Sequence, residues 1–260
     1  MTGLKSLMLR TLPDPLLARA KRLRYPGVIR KFRPAHADVL RAVMQPGDQV
    51  LDIGANIGWY THTFSNLVGP EGRVFSVEPV PPTFELLTYC VRRLGLRNVE
   101  LFNYAMSDQP GSATMEVPRY SEGGENFYAA RIVGPAPSEA ALRTFTVPIA
   151  SIDELLGPRL TRLTFVKCDV EGHELRVLRG ARATLARSHP LLLVEIGGDP
   201  DDPTSAAHTV VAELGAGGYA AYRFDGRGLA RRQVGQRAVD YFFLTEPWVA
   251  RLRGANVPVA

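Results

Sequence analysis

The segment Asp52-Ile53-Gly54-Ala55-Asn56-Ile57-Gly58 follows the apolar pair Val50-Leu51 and leads into Trp59, Tyr60 and Thr61. Two glycines at such a junction leave bare backbone for a ligand to approach, and the start of a following helix offers free N–H donors. Tight packing alone explains most two-glycine turns, so the acid at Glu78 matters. It closes the next apolar run, residues 73–77, where a carboxylate can accept both hydroxyls of a ribose. Gly54, Gly58 and Glu78 together point to a nucleoside cofactor. The dinucleotide fingerprint G-x-G-x-x-G is absent; the pattern here is D-x-G-x-N-x-G. An acid ahead of the first glycine suits a ligand with positive charge nearby, not a pyrophosphate. S-adenosylmethionine carries both a sulfonium and an ammonium, and its chemistry fits better.

More acids stand where apolar runs end. Asp169-Val170-Glu171 closes the run 163–168, and Glu195-Ile196-Gly197 closes the run 190–194. Packing needs no carboxylates there. The elements that must position them are legible as a regular alternation. Residues 50–53, 73–77 and 99–105 read as strands, with helices over 57–67 and 81–94 between them; the second helix has Pro at its start and Gly95 just past its end. The alternation pauses over 107–148, where 108–111 is a turn, 112–117 an extra strand and 119–139 a long loop. It resumes with a short helix at 151–156, a strand at 163–169, one helix over 173–186, a strand at 190–196, a helix near 205–214 and two last strands, 219–224 and 239–245. Such alternation gives a mostly parallel sheet covered on both faces, with ligands beyond the carboxyl ends of its strands.

Residues 1–33 hold nine Lys/Arg and one acid, whereas the rest has 22 basic and 25 acidic residues, so the net charge of +5 belongs to the leader. A basic arm over 1–34 therefore precedes a domain at 35–260. The arm suits an anionic surface, including peripheral membrane contact, or is a solvated helix. Nucleic acid is not expected, because no stacking aromatics are interleaved with the charge. No run of about 18 uncharged apolar residues and no signal peptide are present, which together with two unpaired cysteines, Cys90 and Cys168, expected to be buried, suggests a cytoplasmic protein.

The blocks "VLDIGANIGWYT", "VFSVEP", "NYAMSDQPGS" and "VKCDVEGHELRVLRGA", in this order and spacing, resemble the FkbM-type S-adenosylmethionine-dependent methyltransferases over residues 45–246. The "K-x-D-x-E-G-x-E" block at 167–174 is the most specific. The resemblance implies a Rossmann-like class I α/β fold: a mostly parallel seven-stranded sheet, helices on both faces and an antiparallel C-terminal strand. An acceptor loop would be inserted near 116–143. It also implies that Asp52, Gly54, Asn56, Gly58, Tyr60 and Thr61 hold the methionine part of the cofactor, Glu78 the ribose, and Met106, Ser107 and Asp108 the adenine.

The implied reaction is displacement at a sulfonium methyl by a hydroxyl of a sugar, glycan, glycolipid or secondary metabolite. The acceptor must be aligned, and its proton taken by a base or its pKa lowered by a metal. Neighbouring parallel strands lie about 4.8 Å apart, so Asp169 and Glu195 can share one pocket. They serve as a base with its partner, or as ligands for Mg²⁺. His173 is a further candidate base, or a surface histidine beside a helix cap. Glu171 sits at a turn or caps the helix, Lys167 neutralises the acids, and Cys168 points away. His62 reads as structural, packed beside aromatics. Competing readings are an N-methyltransferase on the same fold, an NAD-dependent oxidoreductase, which the missing fingerprint disfavours, and a scaffold without chemistry, which the intact acids disfavour. The oligomeric state stays open, a homodimer among the options.

Overall fold

The computed structural model describes residues 14–118, 126–133 and 141–260. In chain order its elements are helix α1 (Asp14–Lys31), α2 (Ala37–Val43), strand β1 (Gln49–Ile53), α3 (Trp59–Val68), β2 (Arg73–Val77), α4 (Pro81–Leu94), β3 (Val99–Phe102), β4 (Ala105–Met106), β5 (Gly111–Pro118), β6 (Arg131–Val133), β7 (Ala141–Ala150), α5 (Ile152–Leu155), β8 (Leu163–Cys168), α6 (Glu174–Arg179), α7 (Arg182–Ser188), β9 (Leu191–Glu195), α8 (Ala206–Ala216), β10 (Ala220–Phe224), β11 (Leu229–Arg231), β12 (Asp240–Leu244) and α9 (Glu246–Gly254).

The main sheet runs β11-β10-β12-β9-β8-β1-β2-β3. β3, β2, β1, β8 and β9 are parallel, and β12 is antiparallel to β9, as expected of the C-terminal strand. The seven strands anticipated from the resemblance are present, and the short β11 adds an eighth at the edge, antiparallel to β10. The order reverses beside β1: the chain builds β1, β2 and β3 outward on one side and then returns to place β8 on the other. That switch fixes where a ligand can enter.

β1 shows why the sheet is buried on both sides. Leu51 and Ile53 join a core with α5, α6, α7 and α8, while Val50 joins the opposite core with α2, α3 and α9. Asp52 shares the α3 face with Val50. It is fully buried, and Thr61 of α3 donates to its Oδ2 at 2.6 Å.

Three sequence expectations are corrected. The third strand does not continue through Ala105: it stops at Phe102, and Ala105-Met106 pairs with β7 in a second sheet of order β4-β7-β5-β6. The pause in the alternation therefore holds more than a loop. Its described part is a long β5–β7 antiparallel pair with β6 at its edge, and Met115, Val117 and Val147 pack under it against Val80. Alternation failed as a guide because this sheet packs on Val80, just ahead of α4, and not inside the main layers. Within the anticipated loop, residues 119–125 and 134–140 lie outside the described residues. The helix expected over 173–186 is two helices, α6 and α7. A Cβ on Gly180 would meet the carbonyl oxygen of Ser107 at 1.9 Å, so the chain turns there to let the Ser107-Asp108 backbone pass.

Helix α1 is docked through its C-terminal half. Ile29 is fully buried in a cluster with Ile57 and Cys90, with Tyr25, Trp59 and Tyr89 packed around it. Among the described residues, no helix is long and apolar enough to cross a membrane. Cys90 and Cys168 are both free and buried.

Candidate active site

A cavity of about 550 Å³ opens beyond the carboxyl ends of β1, β2, β8 and β9. The turn after β1 forms its floor. Gly54, Asn56 and Gly58 all take positive φ (76°, 50° and 100°), and this left-handed chain reversal brings the Asn56 N–H to Glu78 Oε2 at 3.0 Å. The Val80 N–H holds the other oxygen, Oε1, at 2.9 Å. Burial pushes Glu78 up to about 7, against the pull of these two amides. Its carboxylate is thus fixed in orientation while each oxygen keeps a lone pair for a further donor.

Asp52 lies beside it. Its Oδ1 is buried with no hydrogen-bond partner, although the residue lines the cavity. Burial raises its pKa, opposed by Lys167 and by the Thr61 hydroxyl. An orphaned buried carboxylate oxygen in the lining of a cavity leaves an acceptor open to a donor or cation bound there. Two oriented carboxylates in this arrangement fit the ribose hydroxyls and the ammonium of S-adenosylmethionine.

The two glycines carry a different load from the one their sequence suggests. A Cβ on Gly54 would lie 1.7 Å from the carbonyl oxygen of Asp169, so the missing side chain is demanded by the β1–β8 junction. On Gly58 it would meet Leu87 at 3.0 Å, and Gly58 does not line the cavity. Thr61 is also outside the lining and acts through Asp52. Tyr60 does line it, packed between Phe32 and His36. His36 drew no attention as a sequence. Burial, then Lys167, lowers it to about 4, and its neutral ring faces the Tyr60 hydroxyl at 3.3 Å.

The other acids follow β8 and close β9. Oxygens of Asp169, Glu171 and Glu195 lie within 4.8 Å of one another. The expected pair is therefore a trio. Lys167 Nζ donates to Asp169 Oδ2 at 2.8 Å and sits 5.1 Å from the centre of the Tyr60 ring. Burial lowers the Lys167 pKa, but Asp169 and Asp52 outweigh it and hold the ammonium above its ordinary range. Burial, then the charges of Asp169, Glu171 and Asp240, push Glu195 up to about 7. Burial and Asp169 likewise raise Glu171. Glu171 sits at the turn with φ 54°, but among the described residues it caps no helix; Glu174 instead takes the Val170 and Gly172 N–H groups at 3.2 and 3.0 Å.

His173 lines the cavity as the residue preceding α6, and its Nε2 lies 2.9 Å from Ser107 Oγ. Ser107 in turn donates to Asp108, which is paired with Arg176. Burial lowers His173. Of the three residues expected at the adenine, only Met106 lines the cavity; Ser107 and Asp108 lie behind His173. His62 is off the cavity, bonded to Asn66.

Sequence reasoning passed over much of the apolar wall. Phe32 arrives from just past the end of α1, Trp59 from α3, Tyr104 from the link after β3, Met115 and Ile132 from the second sheet, and Phe127 from a 3-10 turn ahead of β6. The one signal available was the apolar-polar alternation of residues 112–117, which put Met115 on a buried face.

The Methyltransferase FkbM domain model matches residues 52–224. The chain belongs to the FkbM family of S-adenosylmethionine-dependent methyltransferases. Among curated relatives, hexuronic acid methyltransferase AglP of Haloferax volcanii is 32% identical over 173 residues, 64% of this chain and 65% of that protein. A protein-L-isoaspartate O-methyltransferase of Ignicoccus hospitalis is 36% identical over 58 residues, 22% of this chain and 28% of that protein. The chain thus spans less than two thirds of either relative. The crystal structure of an FkbM methyltransferase from Methylobacillus flagellatus shares the fold, with a TM-score of 0.50 at 16% identity over 84% of this chain and 50% of that one.

Proposed function

We propose that this FkbM-family chain is an O-methyltransferase that acts on a hydroxyl of a sugar or of a comparable polyhydroxylated metabolite. The observation that carries the reading is the carboxylate trio Asp169, Glu171 and Glu195 lining the same cavity as Asp52 and Glu78. When bound, S-adenosylmethionine supplies an activated methyl and a neutral leaving group. The protein's work is then alignment of the acceptor and removal of its proton.

Glu195 suits the base. A pKa of about 7 balances the ionised fraction at neutral pH against the strength of the base. Asp169 is held by Lys167 and is suited to gripping an acceptor hydroxyl, and Glu171 faces the same space. A sugar presents adjacent hydroxyl donors, which three carboxylates can accept together. The AglP likeness supports a sugar acceptor, while this acidic cluster disfavours methyl transfer to an acceptor carboxylate.

A second reading is favoured by the same trio: hard oxygen donors this close suit Mg²⁺, with Asp169 and Glu195 as ligands and Glu171 as a third. The Lys167 ammonium on Asp169 competes with it. The test is methyl transfer across hydroxylated, carboxylated and aminated acceptors, with and without EDTA. Turnover on hydroxyls that ignores EDTA supports the base reading. Loss in EDTA with recovery in Mg²⁺ supports the metal, and turnover on amines or carboxylates alone overturns hydroxyl transfer.

A further inference from the structure

Helix α1 buries one side and leaves the other bare. Ile29 and Pro26 are buried, and Tyr25 packs against α4. Leu16 and Leu23, seven residues apart and so on one stripe, are 51% and 75% exposed. They are two of the four exposed large apolar side chains among the described residues. Ala20 and Gly27 continue the stripe between and beyond them, leaving it smooth. Arg19 and Arg30 flank it on one side, Arg24 and Lys31 on the other, all four exposed. Arg22 turns toward the domain, near Glu85 and Tyr89.

A stripe of leucine bordered on both sides by cations is poorly matched to water and well matched to a surface with an apolar interior and an anionic skin. We infer that α1 docks the protein on an anionic lipid bilayer, lying flat with Leu16 and Leu23 among the acyl chains and the flanking arginines at the headgroups. Charge selects this occupant: nine basic residues against one acid in residues 1–33 would repel a basic partner and bind a neutral membrane weakly. The helix also borders the cavity. Lys21 lies 5.4 Å from the Phe127 ring centre, and Phe32, one residue past α1, packs on Trp59; Phe127, Phe32 and Trp59 all line the cavity. Docking along α1 therefore sets the cavity's aromatic wall beside the membrane.

Flotation of the full-length protein with vesicles tests this. Binding is expected to phosphatidylcholine–phosphatidylglycerol vesicles, with roughly tenfold or greater weakening on phosphatidylcholine alone or at high salt. Leu16→Ser with Leu23→Ser, and separately Arg19→Glu with Arg24→Glu, should each weaken binding by roughly tenfold. S-adenosylhomocysteine affinity should hold in both variants, which shows them folded and keeps the outcome independent of the acceptor. No binding of the intact protein to the anionic vesicles overturns the inference, as does binding that either folded variant retains in full.

Discussion

Glu78 and Glu195 end two strands of one sheet, face one cavity and are both pushed by burial to about 7, yet they are held in opposite ways. Glu78 is 5% exposed, and a backbone amide pins each of its oxygens. Glu195 is half-buried, takes no hydrogen bond from the described residues and is crowded by Asp169, Glu171 and Asp240, its register partner on β12. A carboxylate clamped by backbone is a receptor for fixed donors. One left loose among like charges can gain and lose a proton as its neighbours change. The cavity thus has a clamped end suited to binding and a loosely held end suited to proton transfer, built from the same residue type.

The two ends meet at Gly54. Its left-handed φ and the Asp169 carbonyl 1.7 Å from its absent Cβ make it the joint between them. Gly54→Val should break both at once, destabilising the fold by about 4 kcal/mol or more, because the obstacle is backbone and cannot swing aside. Chemical denaturation with S-adenosylhomocysteine titration checks this. A stable variant that has lost only ligand binding would show that the glycine serves ligand approach after all.

The ends should separate under gentler changes. Glu195→Gln keeps shape and removes the base, so kcat should fall roughly 10²- to 10³-fold. Asp169→Asn should also lower kcat strongly, while S-adenosylhomocysteine affinity moves little in either variant. Equal losses in affinity and kcat would erase the division. Glu78→Ala should act the other way, lowering S-adenosylhomocysteine affinity about tenfold or more at roughly 1.5–3 kcal/mol per charge-assisted hydrogen bond. Calorimetric titration of the folded variant decides it.

The binding end was legible in the sequence and the chemical end only in outline, for a physical reason. Asp52, the Gly54–Gly58 turn and Glu78 lie within 27 consecutive residues, and their geometry is local backbone: a turn forced by φ, and strand ends set by adjacent parallel pairing. Asp169 and Glu195 were readable as strand ends by the same logic. Glu171 was not readable as a member of the trio, because its direction depends on a left-handed φ that non-glycine residues seldom take. Phe32, Met115 and Ile132 reach the cavity from the end of a leader helix and from a second sheet whose placement is tertiary. No period in the sequence announces the short strand Arg131–Val133, and Gly180 breaks a helix through a contact with Ser107, 73 positions away.

The smallest effects give the finest discrimination, because both glutamates titrate near pH 7 and only their linkages differ. Each carboxyl has a folded pKa above its ordinary 4.5, so the folded protein binds the extra proton between about 4.5 and 7. The stability this contributes is full below 4.5 and is lost as pH rises through 7. Ribose hydroxyls donated to Glu78 favour its charged form. Cofactor binding should therefore release a proton near neutral pH, and S-adenosylhomocysteine affinity should rise with pH, by at most tenfold per unit below 7, and level off above it. Calorimetry in buffers of different ionisation enthalpy would read that proton directly, and Glu78→Gln should abolish it. Glu195 should leave affinity alone and appear in turnover, with kcat falling as pH drops below 7 in the wild type and flat at its residual level in Glu195→Gln. A pH dependence of affinity that survives Glu78→Gln would place the linked proton elsewhere, with Asp52 and its unpartnered Oδ1 the next carboxyl to replace.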